Sequence, residues 1–119
     1  MKKVGEHITL DFLGVKQDYS PKFYNKIIYK IAKKAKVEIL NVSDHVFKPQ
    51  GFTLVALLAE SHMSFHTFPE KGIISFDFFT CAKISPKVAL DILKKEIKHE
   101  RVIVKNFDRS TVSLYDDIY

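Results

Sequence analysis

Alternating apolar and polar residues recur along much of the chain, and this spacing predicts strands with one buried face. The alternation is clearest from His7 to Phe12 and from His62 to Phe68, and further strands are predicted at residues 37–46, 73–79 and 102–104. Residues 52–59 are almost continuously apolar, which is typical of a central strand with little exposure. In the second strand, Val37, Ile39 and Asn41 are expected to lie on one side.

Two other segments repeat their apolar residues every three or four positions, as amphipathic helices do. Ser20-Pro21 is a helix-start signal for the first, which ends near Lys36, and Ser85-Pro86 is the same signal for the second. The order of elements predicts one α+β domain over residues 1–119, a two-layer sandwich whose mainly antiparallel sheet carries two helices on one face. A partner subunit could cover the bare face. Residues 108–119 lack periodicity and are predicted to be loosely held.

The charge balance changes this picture little. The chain has 119 residues, a net charge of +5 and a pI of about 9.3, which raises the question of nucleic-acid binding. However, eight lysines fall on the polar positions of the two predicted helices, which favours solvated helix faces over a phosphate-binding site. They are Lys22, Lys26, Lys30, Lys33, Lys34, Lys94, Lys95 and Lys98. Neither a membrane span nor a signal peptide is apparent, and the single cysteine fits a reducing compartment. We therefore expect a cytoplasmic protein without nucleic-acid or membrane partners.

Candidate chemistry is concentrated in residues 60–70, which contain three hydroxyls, two imidazoles and two carboxylates. On a strand, His62 and His66 would share a face but lie roughly 13 Å apart at about 3.3 Å per residue, too far to bind one metal ion. Ser64 and His66 could form a nucleophile and base, but no nucleophile elbow or Gly-rich loop accompanies them. Taken alone, these residues are most simply polar side chains on the open face of a sheet, and no metal site is expected.

Two motifs give this segment a more specific interpretation. The chain reads Glu60-Ser61-His62-Met63-Ser64-Phe65-His66-Thr67-Phe68-Pro69-Glu70, followed by Asp77-Phe78-Phe79-Thr80-Cys81. Together they resemble the signature of the short, class 1 prokaryotic S-adenosylmethionine decarboxylase proenzymes. Gly5-x-His7 and the approach His45-x-Phe47-x-Pro49-x-Gly51 are also similar to that family.

The resemblance implies that the chain cuts itself between Glu60 and Ser61. The Ser61 oxygen would attack the Glu60 carbonyl, and elimination followed by hydrolysis would leave a pyruvoyl group on a new chain that begins at residue 61. The products would be a β chain (1–60) and an α chain (61–119). His66 matches the proton acceptor in this processing, and Thr53 stands where the family has a serine that assists it.

For the mature site, the resemblance implies that the pyruvoyl group forms a Schiff base with S-adenosylmethionine and withdraws electrons as carbon dioxide leaves. Cys81 matches the proton donor in decarboxylation, and an apolar neighbourhood such as Phe78 and Phe79 would keep its thiol protonated. Phe47 and Phe68 match the side chains that stack on the adenine, and Glu70 matches the carboxylate that binds the ribose. The implied assembly is a homodimer with shared sites, which makes the aminopropyl donor for spermidine synthesis.

The chain departs from the family pattern around the expected pocket. Phe68 replaces the usual Trp, Ala82 replaces Gly, and Ile74-Ser75 replaces a pair of small residues. These changes keep open a pyruvoyl-dependent arginine or ornithine decarboxylase as an alternative. A second alternative is an uncleaved regulatory partner or basic binding module without enzymatic activity.

Overall fold

The computed structural model describes residues 5–109, which form six strands and two α-helices. The strands are β1 (Glu6–Leu13), β2 (Ile39–Val46), β3 (Phe52–Leu58), β4 (Ser61–Phe68), β5 (Ile73–Thr80) and β6 (Arg101–Asp108). The helices are α1 (Pro21–Ala35) and α2 (Val88–Glu96), and a short 3-10 helix (Pro69–Lys71) follows β4. The predicted α+β sandwich is thus confirmed. Of the tail predicted to be loosely held, Asp108 is instead the last residue of β6, and residues 110–119 lie outside the described residues.

The six strands form one sheet in the order β2-β3-β4-β5-β1-β6, and each neighbouring pair is antiparallel. The first strand is therefore inserted between β5 and β6, far from β2, which follows it in the chain. Helix α1 makes the long connection from β1 to the opposite edge of the sheet. Because β1 pairs with β5, residues near the start of the chain lie beside the end of β5.

The first helix begins where its sequence signal predicts. Ser20 is the N-cap, its hydroxyl accepts a hydrogen bond from the Phe23 backbone N–H at 3.4 Å, and Pro21 is the first helical residue. The second helix begins at Val88, later than Ser85-Pro86 predicts. The Ser85 hydroxyl accepts from the Lys87 N–H at 3.2 Å, so it forms a local turn before the helix instead of capping it.

The core lies between the helices and one face of the sheet. Tyr24 on α1 is central to it, since its ring stacks on Phe52 at 5.3 Å and lies 5.1 Å from Phe65. Burial raises the pKa of the Tyr24 phenol above its usual value, with smaller contributions from Asp18 and Tyr19. The fully buried side chains around it include Phe12, Leu10, Ile28, Ile31, Leu54, Met63, Phe78 and Leu93.

Two predictions about individual strands are wrong. Strand β3 is exposed on one side, with Val55 and Leu57 at 44% and 54% exposure, because no helix covers that face of the sheet. In β2, a bulge interrupts the register, so that Ile39 pairs with buried Leu58 while Asn41 pairs with exposed Leu57. Ile39 and Asn41 therefore lie on opposite faces, whereas simple alternation had placed them together.

The sheet face opposite the helices is called the open face below. It consists of every second residue of the six strands, including His62, Ser64, His66 and Phe68 of β4, as their alternation predicted. Within residues 5–109, neither helix has the length and apolar character needed to cross a membrane.

Replacing Phe65 tests the packing of the sheet on α1. Phe65 is fully buried, and its ring lies 4.8 Å from Phe76 as well as against Tyr24. Phe65→Ala should lower the free energy of unfolding by about 3–5 kcal/mol, since it leaves a cavity between the two layers. Denaturant unfolding measures this loss. Tyr29→Ala, at an α1 side chain that is 57% exposed, is the control and should change stability little; equal effects would contradict the assigned packing.

Candidate active site

The open face is polar in the middle and apolar around it. The polar side chains come from the four central strands, β3, β4, β5 and β1, and they include His7, Asp11, Thr53, His62, Ser64, His66, Ser75 and Asp77. The exposed apolar residues beside them are Val55, Leu57, Phe68, Ile103 and Phe107. The residues singled out from the sequence fall on this face or at the ends of its strands, and they form two separate groups.

The first group surrounds the Glu60–Ser61 peptide bond. Ala59 and Glu60 form the tight turn from β3 to β4, and Glu60 has a φ of 64°, in the left-handed region. For a residue with a Cβ atom this conformation costs about 1–2 kcal/mol. Ser61 is buried at the start of β4, and its hydroxyl has no hydrogen-bond partner among the described residues. A residue in a strained backbone conformation thus directly precedes a buried hydroxyl that has no hydrogen-bond partner among the described residues.

Cys81 lies near this bond because β4 and β5 are paired there. Thr80, the last residue of β5, pairs with Ser61, and Cys81 follows it directly. Gly5 allows the start of β1 to approach the same place, since a Cβ atom there would lie 2.8 Å from the Phe79 ring and 2.9 Å from the Thr80 carbonyl oxygen. Cys81 itself is exposed, so the described residues do not give its thiol the apolar surroundings that the sequence suggested. Glu60, Ser61 and Cys81 are called the cleavage end, after the self-cleavage that the sequence resemblance implies.

The second group lies where β3 begins and β4 finishes. Thr53 Oγ1 and His66 Nδ1 are 3.1 Å apart, within hydrogen-bonding distance, because these residues face each other across β3 and β4. Phe47 follows β2 and is 47% exposed, while Phe68 ends β4 and is 39% exposed. Glu70 lies in the 3-10 helix directly after β4. Thr53, His66, Phe47, Phe68 and Glu70 are called the aromatic end.

The two ends are far apart in one chain. Ser61 and His66 stand at opposite ends of the straight strand β4, and five residues of extended chain span about 16 Å. A side chain of His66 cannot cover that distance to remove a proton at Ser61. One chain therefore brings together the members of each group but does not bring the two groups together.

Sequence reasoning missed a third constellation in the centre of the open face. Asp77 Oδ2 lies 2.7 Å from His7 Nε2 and 3.3 Å from His62 Nε2, and Ser64 Oγ donates to Asp77 Oδ1. Alternation did place His62 and Ser64 on one face. The contact of both with Asp77, and of Asp77 with His7, depends on the strand order, which no local pattern of the sequence reveals.

The metal-binding potential of the open face also involves these residues. His62 and His66 both lie on strand β4, where their spacing is too long for one shared ion. His62 is hydrogen-bonded to Asp77, and His66 lies within hydrogen-bonding distance of Thr53. Within residues 5–109, His7, His62 and Asp77 offer ligand atoms that all lie within 4.8 Å of one another. Their contacts are already accounted for as hydrogen bonds to one carboxylate, so the arrangement does not require an ion.

Of the departures from the family pattern, only some concern the open face. Ile74 is 2% exposed and packs in the core, so it is not part of a pocket on the open face, contrary to the expectation from the sequence. Its neighbour Ser75 does face that side, and its hydroxyl donates to Asp11 Oδ1 at 2.6 Å. The backbone N–H of Ala82 donates to Thr80 Oγ1 at 3.0 Å, beside the cleavage end.

Comparisons with known proteins agree on one family. A family model described as S-adenosylmethionine decarboxylase matches residues 6–110. A protein of Methanococcus maripaludis named S-adenosylmethionine decarboxylase proenzyme is 34% identical over 96% of this chain and 96% of its own length. A proenzyme of the same name from Brevibacillus brevis is 35% identical over 88% of this chain and 81% of its own length.

A solved structure supports the same conclusion. The crystal structure of the adenosylmethionine decarboxylase from Aquifex aeolicus superposes with a TM-score of 0.82. It is 27% identical in sequence, and the match covers 99% of this chain and 100% of that one.

Proposed function

The chain belongs to the S-adenosylmethionine decarboxylase family, and we propose that it cuts itself between Glu60 and Ser61 to make the pyruvoyl group with which it decarboxylates S-adenosylmethionine. The observation that carries this proposal is the state of the cleavage end. Ser61 Oγ is buried and has no partner among the described residues, and it directly follows a residue held in the left-handed region. The product would be the aminopropyl donor for spermidine synthesis.

The geometry of the turn favours attack by Ser61 on its own preceding peptide bond. A free hydroxyl has no hydrogen bond to break before it approaches the Glu60 carbonyl carbon. Cleavage also releases the strain of Glu60, which lies in the left-handed region only because the turn requires it. Both features raise the free energy of the uncut chain relative to the attacking state.

The residues of the two ends fit the chemistry of such a site. A pyruvoyl group at residue 61 would supply a ketone that binds the substrate amine and withdraws electrons as carbon dioxide leaves. Cys81, exposed beside Ser61, would return a proton to the substrate carbon from its Sγ atom. Phe47 and Phe68 would stack on the adenine, since both are partly exposed at the same end of the sheet, and Glu70 would bind the ribose hydroxyls.

The separation of the two ends leads us to propose a homodimer formed through the open faces. A two-fold axis that brings Ser61 of one chain to His66 of its partner also brings His66 of the first chain to Ser61 of the second. Two identical sites would result, each with a cleavage end from one chain and an aromatic end from the other. The apolar residues around the polar centre, which are 39% to 54% exposed, would supply buried contact area.

The proposed substrate follows from the names of the relatives and from the aromatic end. The relatives and the solved structure described above are all named for adenosylmethionine, and none for arginine or ornithine. Phe68 offers a smaller stacking surface than Trp would, but it retains a flat ring for a purine. An aromatic face also attracts a cationic sulfonium.

Self-cleavage should be visible in the mass of the purified protein. The chain is expected to separate into fragments 1–60 and 61–119, and the second should carry a blocked N-terminus. Ser61→Ala should remain intact, because it has no hydroxyl to attack Glu60. An intact wild-type chain after long incubation, in buffer that keeps the thiol reduced, would overturn the proposal.

Substrate choice can be measured directly. Carbon dioxide release from carboxyl-labelled S-adenosylmethionine, arginine and ornithine should be seen with S-adenosylmethionine alone, because the aromatic end binds a nucleoside. The Ser61→Ala chain is the control and should release none. Release from arginine or ornithine and not from S-adenosylmethionine would show that the substrate is assigned wrongly.

Complementation tests the shared site. A chain with His66→Ala and a chain with Ser61→Ala should each stay uncut alone. When the two are co-expressed with different tags, about half of the His66→Ala chains should be cut, since random pairing places half of them beside an intact His66. If cleavage occurred within one chain, the mixture would remain as uncut as its components.

A further inference from the structure

Side chains from two strands, β1 and β4, converge on one carboxylate of β5 on the open face, and the function proposed above gives none of these groups a role. Asp77 on β5 bonds to His7 on β1 and to His62 and Ser64 on β4. His62 is the residue directly after Ser61. We propose that Asp77 is a positioning residue for self-cleavage, which holds the His62 ring in one orientation and one tautomer and thereby fixes the peptide unit that follows Ser61.

The hydrogen bonds determine which nitrogen of His62 carries a proton. A carboxylate can only accept hydrogen bonds, so a ring nitrogen that bonds to it must donate. His62 Nε2 lies 3.3 Å from Asp77 Oδ2, and His7 Nε2 lies 2.7 Å from the same oxygen. Both rings are therefore in a form with a proton on Nε2. In the neutral ring of His62, the lone pair is then on Nδ1, the nitrogen nearer its own backbone.

The same carboxylate also binds the beginning of β4. Ser64 donates to the second oxygen of Asp77, so two successive open-face side chains of β4 are attached to one point on β5. The three groups are half-buried, with side-chain exposures of 21% for His7, 41% for His62 and 25% for Asp77. A half-buried carboxylate with three partners holds its neighbours more rigidly than a solvated one.

Rigidity at this place matters because no hydrogen bond within the described residues holds the Ser61 side chain. Its hydroxyl has no partner among the described residues, and Glu60 before it is strained. In the attack, a bond forms between Ser61 Oγ and the Glu60 carbonyl carbon, the Glu60–Ser61 C–N bond breaks, and the hydroxyl proton ends on the released nitrogen. A displacement of about 1 Å in such a step can lower its rate about a hundredfold.

This inference rests on the proposed self-cleavage, and its first test is a double-mutant cycle on the rate of that cleavage. Mass spectrometry would follow the conversion of freshly made chains with Asp77→Asn, His62→Ala or both changes. Asp77→Asn should slow cleavage about tenfold or more, because a carboxamide can donate as well as accept and no longer dictates the tautomer. Since Asp77 acts through His62, the double variant should be no slower than the slower single variant.

A matched control is available on the same face. Asp11 on β1 also accepts from a serine hydroxyl, Ser75 Oγ at 2.6 Å, and within residues 5–109 it forms no hydrogen bond with the His62 ring, which bonds to Asp77. Asp11→Asn should therefore be cut at the wild-type rate. Asp77→Glu retains a carboxylate and should recover part of the rate that Asp77→Asn loses. Thermal unfolding of each variant identifies any that fails to fold. If His62→Ala fails to fold, His62→Gln replaces it in the cycle.

The second test does not depend on cleavage. In the Ser61→Ala chain, labelled with ¹⁵N in histidine, the ring nitrogens report the tautomer by NMR. His62 should carry its proton on Nε2, and Asp77→Asn in the same background should give a mixture of tautomers. An uncut wild-type chain would overturn the proposed function, while this experiment would still decide whether Asp77 controls His62.

Four results would overturn the inference itself. The first is wild-type cleavage by the folded Asp77→Asn chain, and the second is a double variant in which the two losses multiply. A His62 ring whose tautomer does not respond to Asp77→Asn would likewise exclude a positioning role. A loss of rate shared equally by Asp11→Asn would mean that any change on the open face disturbs the turn.

Discussion

An extended strand cannot bring its own two ends together, and this constraint on β4 governs the organisation of the site. At about 3.3 Å per residue, Ser61 and His66 are kept about 16 Å apart by the same ladder of hydrogen bonds that stabilises the sheet. Relaxing the strand would lose its pairing with β3 and β5, which run along its whole length. A site that needs both residues must therefore be completed from outside the chain, and the uncovered face of the sheet is where that can happen.

Local patterns predicted most of the fold. The alternation from His62 to Phe68 located β4 and its two faces, and Ser20 located the start of α1. Where prediction failed, a non-local contact or a local irregularity was responsible. Because of a bulge in β2, Ile39 and Asn41 lie on opposite faces of the sheet. The Ser85 hydroxyl accepts a hydrogen bond within a turn instead of capping α2.

The site was predictable to the extent that it lies in continuous motifs. Glu60, Ser61 and Cys81 could be named as candidates because two short runs of sequence contain them, and pairing of β4 with β5 brings those runs together. The bonds of Asp77 were not predictable. His7 is 70 residues away in the chain, and it reaches Asp77 only because β1 is inserted between β5 and β6. Strand order results from packing of the whole domain, and a single sequence contains no local signal for it.

The insertion of β1 has a further consequence once the turn at Glu60 is cut. Strands β1 to β3 would belong to the first fragment and β4 to β6 to the second, so three of the five neighbouring pairs in the sheet, β3 with β4, β5 with β1, and β1 with β6, would join different fragments. Native strand pairing would keep the fragments together without a covalent link. Refolding after denaturation, however, would change from a unimolecular to a bimolecular reaction, so a protomer that once folded by itself would recover its structure only at a rate set by concentration. After the cut, the persistence of the native state would therefore depend on a slow rate of complete unfolding.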